Sequence, residues 1–125
     1  MKPIYNIPES EREVMEMLWK FPQGIKQSTL LEHLNNAGKD WKRQTVNTFI
    51  TRLEEKSLVR RENRTVWATM SKEEFSNLQV QDVVENVYGG MFSNLVLAFA
   101  KNRKLTKEDA EQLKKIVEAY QDGED

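Results

Sequence analysis

Apolar positions along this chain change their period, and the changes mark its elements. Val14, Met17, Leu18 and Phe21 follow one another at helical spacing, which predicts a first helix with one buried stripe. Pro8 suits a first turn, where its missing N–H costs nothing, and Glu9, Glu11 and Glu13 place negative charge at the positive end of the dipole. Pro22-Gln-Gly24 is a turn signal that ends the helix, and Ile25 beyond it is expected in a short strand or docking point. Leu30, Leu31 and Leu34 predict a second helix over about 27–36, terminated by Gly38 in a left-handed conformation. Val46, Phe49, Ile50 and Leu53 predict a third within 42–58, with Trp41 as a hydrophobic plug before it. Helix, short turn, helix is the resulting motif.

The period then drops to two. Leu58-Val-Arg-Arg61 and Thr65-Val-Trp-Ala-Thr69 are β-prone runs joined by Glu62-Asn63-Arg64, a hairpin with Asn63 available for positive φ. Trp67 is expected beneath the third helix. Two strands directly after a helix-turn-helix form a wing. Helical spacing returns after Met70, where Ser71 and Glu74 stand at capping-box distance. Phe75, Leu78, Val80, Val83, Val84, Val87, Tyr88, Met91, Phe92, Leu95, Val96 and Phe99 then repeat by three and four across Gly89-Gly90, where a break or kink is predicted. Thr106 is the expected N-cap of a last helix striped by Ala110, Leu113, Ile116, Val117 and Tyr120. Residues 1–7 read as an arm without periodicity and 121–125 as a frayed acidic end. The predicted fold is mainly α with a small β-hairpin: a winged helix-turn-helix domain over 1–70 and a helical dimerisation domain over 71–125.

Composition narrows the chemistry. The absence of cysteine excludes thiol catalysis, disulfides and Cys-ligated metal. His33, the single histidine, faces away from the leucine stripe and is expected as an ordinary surface residue. No metal, cofactor or catalytic constellation is expected, and an enzyme is the reading with least support. No apolar run reaches the roughly 18 residues of a membrane span, and the start lacks the apolar core of a signal segment, so a cytoplasmic protein without membrane insertion is expected.

Charge sharpens the picture once it is divided by position. The net charge is −1, yet Lys39, Lys42, Arg43, Arg52, Lys56, Arg60, Arg61 and Arg64 stand against Asp40, Glu54, Glu55 and Glu62 between 39 and 64. That window carries +4 and the remainder −5, an asymmetry suited to a polyanion meeting one face. The outer sector of the third helix carries Gln44, Asn47, Thr48 and Thr51, short amide and hydroxyl groups that match base edges in a major groove. These four are expected to contact bases, with Thr45 in the same interface. Lys42, Arg43, Arg52 and the wing residues Arg60, Arg61 and Arg64 are expected on phosphates. Glu55 at the far end repels the backbone, so the N-terminal half of the helix is the part expected to enter the groove. The helices after 71 have much apolar area and no third layer to cover it. A second copy resolves this, with Val84, Val87, Tyr88, Met91, Phe92, Leu95, Val96, Phe99, Leu113, Ile116, Val117 and Tyr120 in the dimer contact. A dimeric adaptor that uses the third helix to bind protein is the alternative from a different class.

Three segments carry a family resemblance: Glu11-Arg-Glu-Val-Met-Glu-Met-Leu-Trp19, Trp41-Lys-Arg-Gln-Thr-Val-Asn-Thr-Phe-Ile-Thr-Arg-Leu-Glu-Glu-Lys56, and Gly89-Gly-Met-Phe-Ser-Asn-Leu-Val-Leu-Ala-Phe99 followed by Lys104-Leu-Thr. Together they resemble the BlaI/MecI penicillinase repressor family over nearly the whole chain. The resemblance implies a dimeric winged-helix repressor on inverted repeats of a TACA/TGTA type upstream of β-lactamase or related genes. It also implies relief by proteolysis, triggered through a membrane β-lactam sensor with a cytoplasmic protease. The family's Asn-Phe cleavage bond aligns with Ala98-Phe99, where the Phe is kept and the Asn is not. Lys42-Arg43 stands where the family usually has Ser-Pro, Ser57 replaces a usual Gly, and the wing lacks its Gly. The cysteines of the copper-responsive relatives are absent. A winged-helix regulator of a different circuit is the nearest alternative.

Overall fold

Helix α1 (Glu9–Leu18) buries Glu11, Val14, Met15 and Leu18, a stripe at i, i+3, i+4 and i+7. The sequence pattern placed Met17 and Phe21 on this stripe; both are half-buried, and Met15 takes the inward position. The cause lies at Pro22, which drives Phe21 away from helical backbone, so α1 stops three residues early. Its last turn tightens into bonds from Lys20 N–H to Met17 C=O and from Phe21 N–H to Leu18 C=O. The structure, a computed structural model, describes residues 6–121. The arm residues 1–5 and most of the acidic end, 122–125, lie outside the described residues. The chain divides into two units, the first reaching to Asp82 and the second starting at Val83.

In the first unit, β1 (Ile25–Lys26) and α2 (Gln27–Asn36) follow α1, then α3 (Arg43–Glu55), β2 (Val59–Glu62) and β3 (Thr65–Ala68). Gly38 takes φ 104° and ends α2 as predicted. Asn35 fixes the turn between the helices: its side-chain oxygen accepts from Trp41 N–H at 2.8 Å and its amide donates to Trp41 C=O at 2.9 Å. Trp41 stacks edge-on against Phe49, centroids 5.0 Å apart, as a plug. His33 is not a bare surface residue, since its ring packs 5.1 Å from Phe21.

Helix α3 ends at Glu55 and not at Leu58. Ser57 adopts φ 63°, Ser57 N–H bonds Glu54 C=O, and Leu58 N–H bonds Leu53 C=O, both at 2.9 Å. This reversal returns the chain to the core at Leu58 and requires a left-handed residue, a conformation that costs a serine about 1 kcal/mol or more relative to glycine. The expected hairpin is a three-stranded antiparallel sheet of order β1-β3-β2, because Ile25 pairs with Val66 and Val59–Glu62 with Thr65–Ala68. Two residues close the hairpin, Asn63 at φ 51° and Arg64 at φ 67°, a primed turn matched to strand twist. Alternation then sets the faces. Val59, Arg61, Val66 and Ala68 share the inner face, and Arg60 and Trp67 share the outer one. Trp67 therefore lies on the outer face, not beneath α3, and Arg60 stacks over its ring at 5.5 Å.

The core comprises Val14, Met15, Leu18, Ile25, Leu30, Leu34, Val46, Ile50, Leu53, Leu58, Val59 and Val66, closed at one end by Phe75 of helix α4 (Lys72–Val87). The Ser71–Glu74 capping box starts α4 as its spacing predicts. Phe75 is fully buried 5.5 Å from the Trp19 ring, and Trp19 Nε1 donates to Met70 C=O at 3.0 Å. The guanidinium of Arg12 sits 6.0 Å from both ring centroids and bonds Gln79 and Glu16. The first turns of α4 thus belong to the winged unit, whose packing runs past the boundary that the turn signals at 70 suggest.

The second unit holds the end of α4, α5 (Phe92–Asn102) and α6 (Lys107–Tyr120). Gly89 and Gly90 take φ 65° and 82° and end α4, as their position predicts. Thr106 caps α6 in a full capping box with Asp109. No residue of α5 or α6 is buried. Val84, Tyr88, Leu95, Val96 and Leu113 are half-buried, whereas Val87, Met91, Phe92, Phe99, Ile116, Val117 and Tyr120 are exposed. Among the described residues no single helix is long and apolar enough to cross a membrane.

Candidate nucleic-acid interface

Helix α3 buries Val46, Ile50 and Leu53 and leaves its other side open. Lys42, its N-cap, and Arg43, Gln44, Asn47, Thr48, Arg52 and Glu55 are exposed; Thr45 and Thr51 are half-buried. The N-terminal half of this helix, the start of α2 and the hairpin tip enclose a cleft of about 1030 Å³. Its lining contains Lys26, Arg43, Arg61 and Arg64 and no carboxylate. Lys26, Gln27 and Ser28 were not singled out from the sequence. The signal available was the placement of a preceding helix start beside the backbone in helix-turn-helix proteins. Gln27 N–H also donates to Arg64 C=O at 2.8 Å, which ties the hairpin tip to the start of α2.

Both helices present bare N-termini to this cleft. Neither α2 nor α3 has a side-chain cap or an acidic residue in its first turn, unlike α1, α4 and α6. Apart from Gln27 N–H, which bonds Arg64 C=O, their first-turn N–H groups and the uncompensated dipole favour an anion there.

The basic window divides by partner. Lys39 pairs with Glu13, Lys56 with Glu11 at 2.6 Å, and Arg61 with Glu54 at 2.7 Å. The first two pairs staple α1 to the turn and to the far end of the helix-turn-helix, and Glu11 is only 1% exposed. Lys42, Arg43, Arg52, Arg60 and Arg64 have no ion-pair partner among the described residues. Arg61 sits apart from the other predicted phosphate contacts. From the inner face of β2 it donates to Gln27, Asn47, Thr51 and Glu54. Thr48 donates its hydroxyl to Gln44 C=O at 3.0 Å.

Among the described residues no cluster of His, Cys, Asp or Glu could hold a metal ion. Ala98 and Phe99 lie in the last turns of α5, with Ala98 half-buried and Phe99 exposed beneath the Arg103 guanidinium at 4.8 Å.

Comparison with known proteins gives the family. The chain is 29% identical over 117 residues to the methicillin resistance regulatory protein MecI of Staphylococcus aureus, covering 90% of this chain and 94% of that protein. It is 27% identical over 124 residues to the penicillinase repressor of Bacillus licheniformis, covering 96% and 95%. The penicillinase repressor of Staphylococcus aureus is 29% identical over 115 residues, covering 89% and 90%. With the penicillinase repressor family model matching residues 7–119, the chain belongs to that family of transcriptional repressors.

Proposed function

We propose that the chain represses transcription as a homodimer on an inverted-repeat operator of TACA/TGTA type, upstream of β-lactamase or related resistance genes. Proteolysis in the C-terminal helices after β-lactam sensing relieves the repression. The carboxylate-free cleft beside the open polar side of α3 carries this reading. A duplex laid there meets base-matching groups on α3, helix N-termini without side-chain caps, and Lys26, Arg43 and Arg64, which have no ion-pair partner among the described residues. Lys42, Arg43, Arg52, Arg60 and Arg64 serve as phosphate contacts, and Gln44, Thr45, Asn47, Thr48 and Thr51 face the bases.

Dimerisation is supported by the uncovered apolar surface of the second unit, where Tyr120 is 83% and Phe92 60% exposed. Two copies joined there offer two α3 helices to half-sites about one helical turn apart. Cleavage at Ala98-Phe99 severs α6 from the rest of the chain and removes Ile116, Val117 and Tyr120 from the contact. The bond lies within a helix, so a protease reaches it only after local opening. The enzyme is a membrane β-lactam sensor-protease or a protease acting after it.

The test is a gel shift on a duplex from the chain's own upstream region at two salt concentrations. Retardation at low salt, weakening with a slope of about −0.9 per phosphate neutralised, is expected. Folded protein that retards no duplex at low salt refutes the proposal and points to a protein-binding adaptor.

A further inference from the structure

Arg61 belongs to the basic window by sequence, yet its guanidinium is spent inside the protein. Nη1 donates to Asn47 Oδ1 at 2.7 Å and to Gln27 Oε1 at 3.2 Å; Nη2 donates to Glu54 Oε1 at 2.7 Å and to Thr51 Oγ1 at 3.1 Å. Glu54 suffices to neutralise the charge. The remaining bonds reach two residues of α3 that line or border the cleft. A guanidinium has five donors and no acceptor, so the atom of Asn47 turned toward it must be the carbonyl oxygen. Gln27 Nε2 donates to the same oxygen at 3.4 Å. The two amide hydrogens of Asn47 have no partner among the described residues, and the side chain is exposed. Thr51 is set the same way: its oxygen accepts from Arg61, which leaves its hydroxyl hydrogen to donate.

We propose that Arg61 is a positioning residue for base readout: it holds the Asn47 carbonyl inward, so that α3 offers only hydrogen-bond donors there and selects acceptor edges. This rests on the reading of α3 as the element that enters the major groove. An asparagine that reads adenine uses both ends of its amide, accepting from N6 and donating to N7. Asn47 cannot do so while its oxygen is engaged. Guanine, with acceptors at both O6 and N7, fits best. Thymine follows through O4, and adenine leaves its amino group without an acceptor.

Selection of duplexes from a randomised library by the full-length chain, followed by sequencing, tests the assignment. The wild type is expected to enrich guanine or thymine at one position per half-site, with about tenfold preference over the disfavoured bases. Asn47→Asp is nearly isosteric and keeps an acceptor for Arg61, but it turns an acceptor outward. Preference at that position is expected to move to cytosine or adenine. Arg61→Met frees the Asn47 amide to rotate and is expected to admit adenine at that position, leaving the rest of the motif unchanged. A merely structural role for Arg61 lowers affinity for all sequences alike and moves no base preference.

Should Arg61→Met fail to fold, Asn47→Asp alone decides. An enriched wild-type motif that Asn47→Asp leaves unaltered at every position overturns the assignment and leaves the DNA-binding reading intact. A wild type that enriches no duplex at low salt overturns both.

Discussion

The winged unit and the C-terminal unit are built from similar amphipathic helices but differ in what they bury. The winged unit encloses thirteen buried apolar residues, from Val14 to Phe75, on three helices, a sheet and the first turns of α4. In α5 and α6 not one residue is buried, although their apolar stripes are as regular. A stripe buries only against a second surface; the sheet and crossing helices supply one in the first unit. In the second unit three helical segments leave Phe92, Ile116 and Val117 in water. The first unit buries its stripes within one chain, and the second leaves much of its apolar surface exposed.

Ile116→Glu puts the difference under most strain. In a single chain this residue is 52% exposed and contributes little to packing, whereas in a dimer a charge at the contact separates the copies. Sedimentation is expected to give a monomer, and affinity for an inverted repeat to fall about 10²- to 10⁴-fold with bivalency lost. An unchanged dimer with unchanged affinity removes α6 from the interface. Leu53→Ala is the converse in the winged unit, since the residue is fully buried. Urea denaturation is expected to lose about 2–5 kcal/mol, independent of protein concentration. A loss that varies with concentration means that the winged unit is not self-sufficient.

Lys56→Met leaves the buried Glu11 carboxylate without its partner and is expected to cost about 1–3 kcal/mol, less than for a fully buried pair because Lys56 is partly exposed. Glu11→Gln in the same background is expected to recover part of the loss; no recovery assigns the cost to packing of the lysine stem. Arg64→Gly separates stability from function at the hairpin. Glycine relieves the φ of 67°, so stability is expected to rise by about 1 kcal/mol. The salt slope of DNA binding is expected to shrink by about 0.9. A rise in stability with an unchanged slope denies Arg64 its phosphate.

The smallest effect lies at the start of α6. Thr106 N–H and hydroxyl hold the Asp109 carboxyl below its ordinary 3.8 by bonding the charged form. Because the folded value is the lower one, this support is complete above pH 3.8 and is lost as the pH falls through the folded value. NMR titration of Asp109 is expected to give a midpoint below 3.8, and Thr106→Ala a midpoint nearer it. Equal midpoints show that the cap contributes nothing.

Much of this was legible in the residues because local rules govern it. The glycines at 38, 89 and 90, the capping box at Ser71, the N-cap at Thr106 and the positive φ at Asn63 each depend on a few neighbouring dihedrals. The outward sector of α3 was legible too, since a helix with Val46, Ile50 and Leu53 on one side must show Gln44 and Thr48 on the other. What escaped was long-range. Arg60 shares the outer face with Trp67 while Arg61, one position on, turns inward, and no composition rule says which of two adjacent wing arginines does so. Phe75 continues an apolar series in sequence, yet it joins a core whose other members end at Val66.

Period and punctuation alone thus set the number and kind of elements, the turn that presents α3, and the identity of its outward groups, because each follows from bonding within about one helical turn or one hairpin. Tertiary structure alone decided which charges are free and which are spent. Glu11 was paired with Lys56 across 45 positions and Arg61 was drawn onto Gln27, Asn47 and Glu54 by packing that brings distant segments within bonding distance. An ion pair between residues far apart in sequence leaves no local trace, so its members read from sequence as part of a basic face.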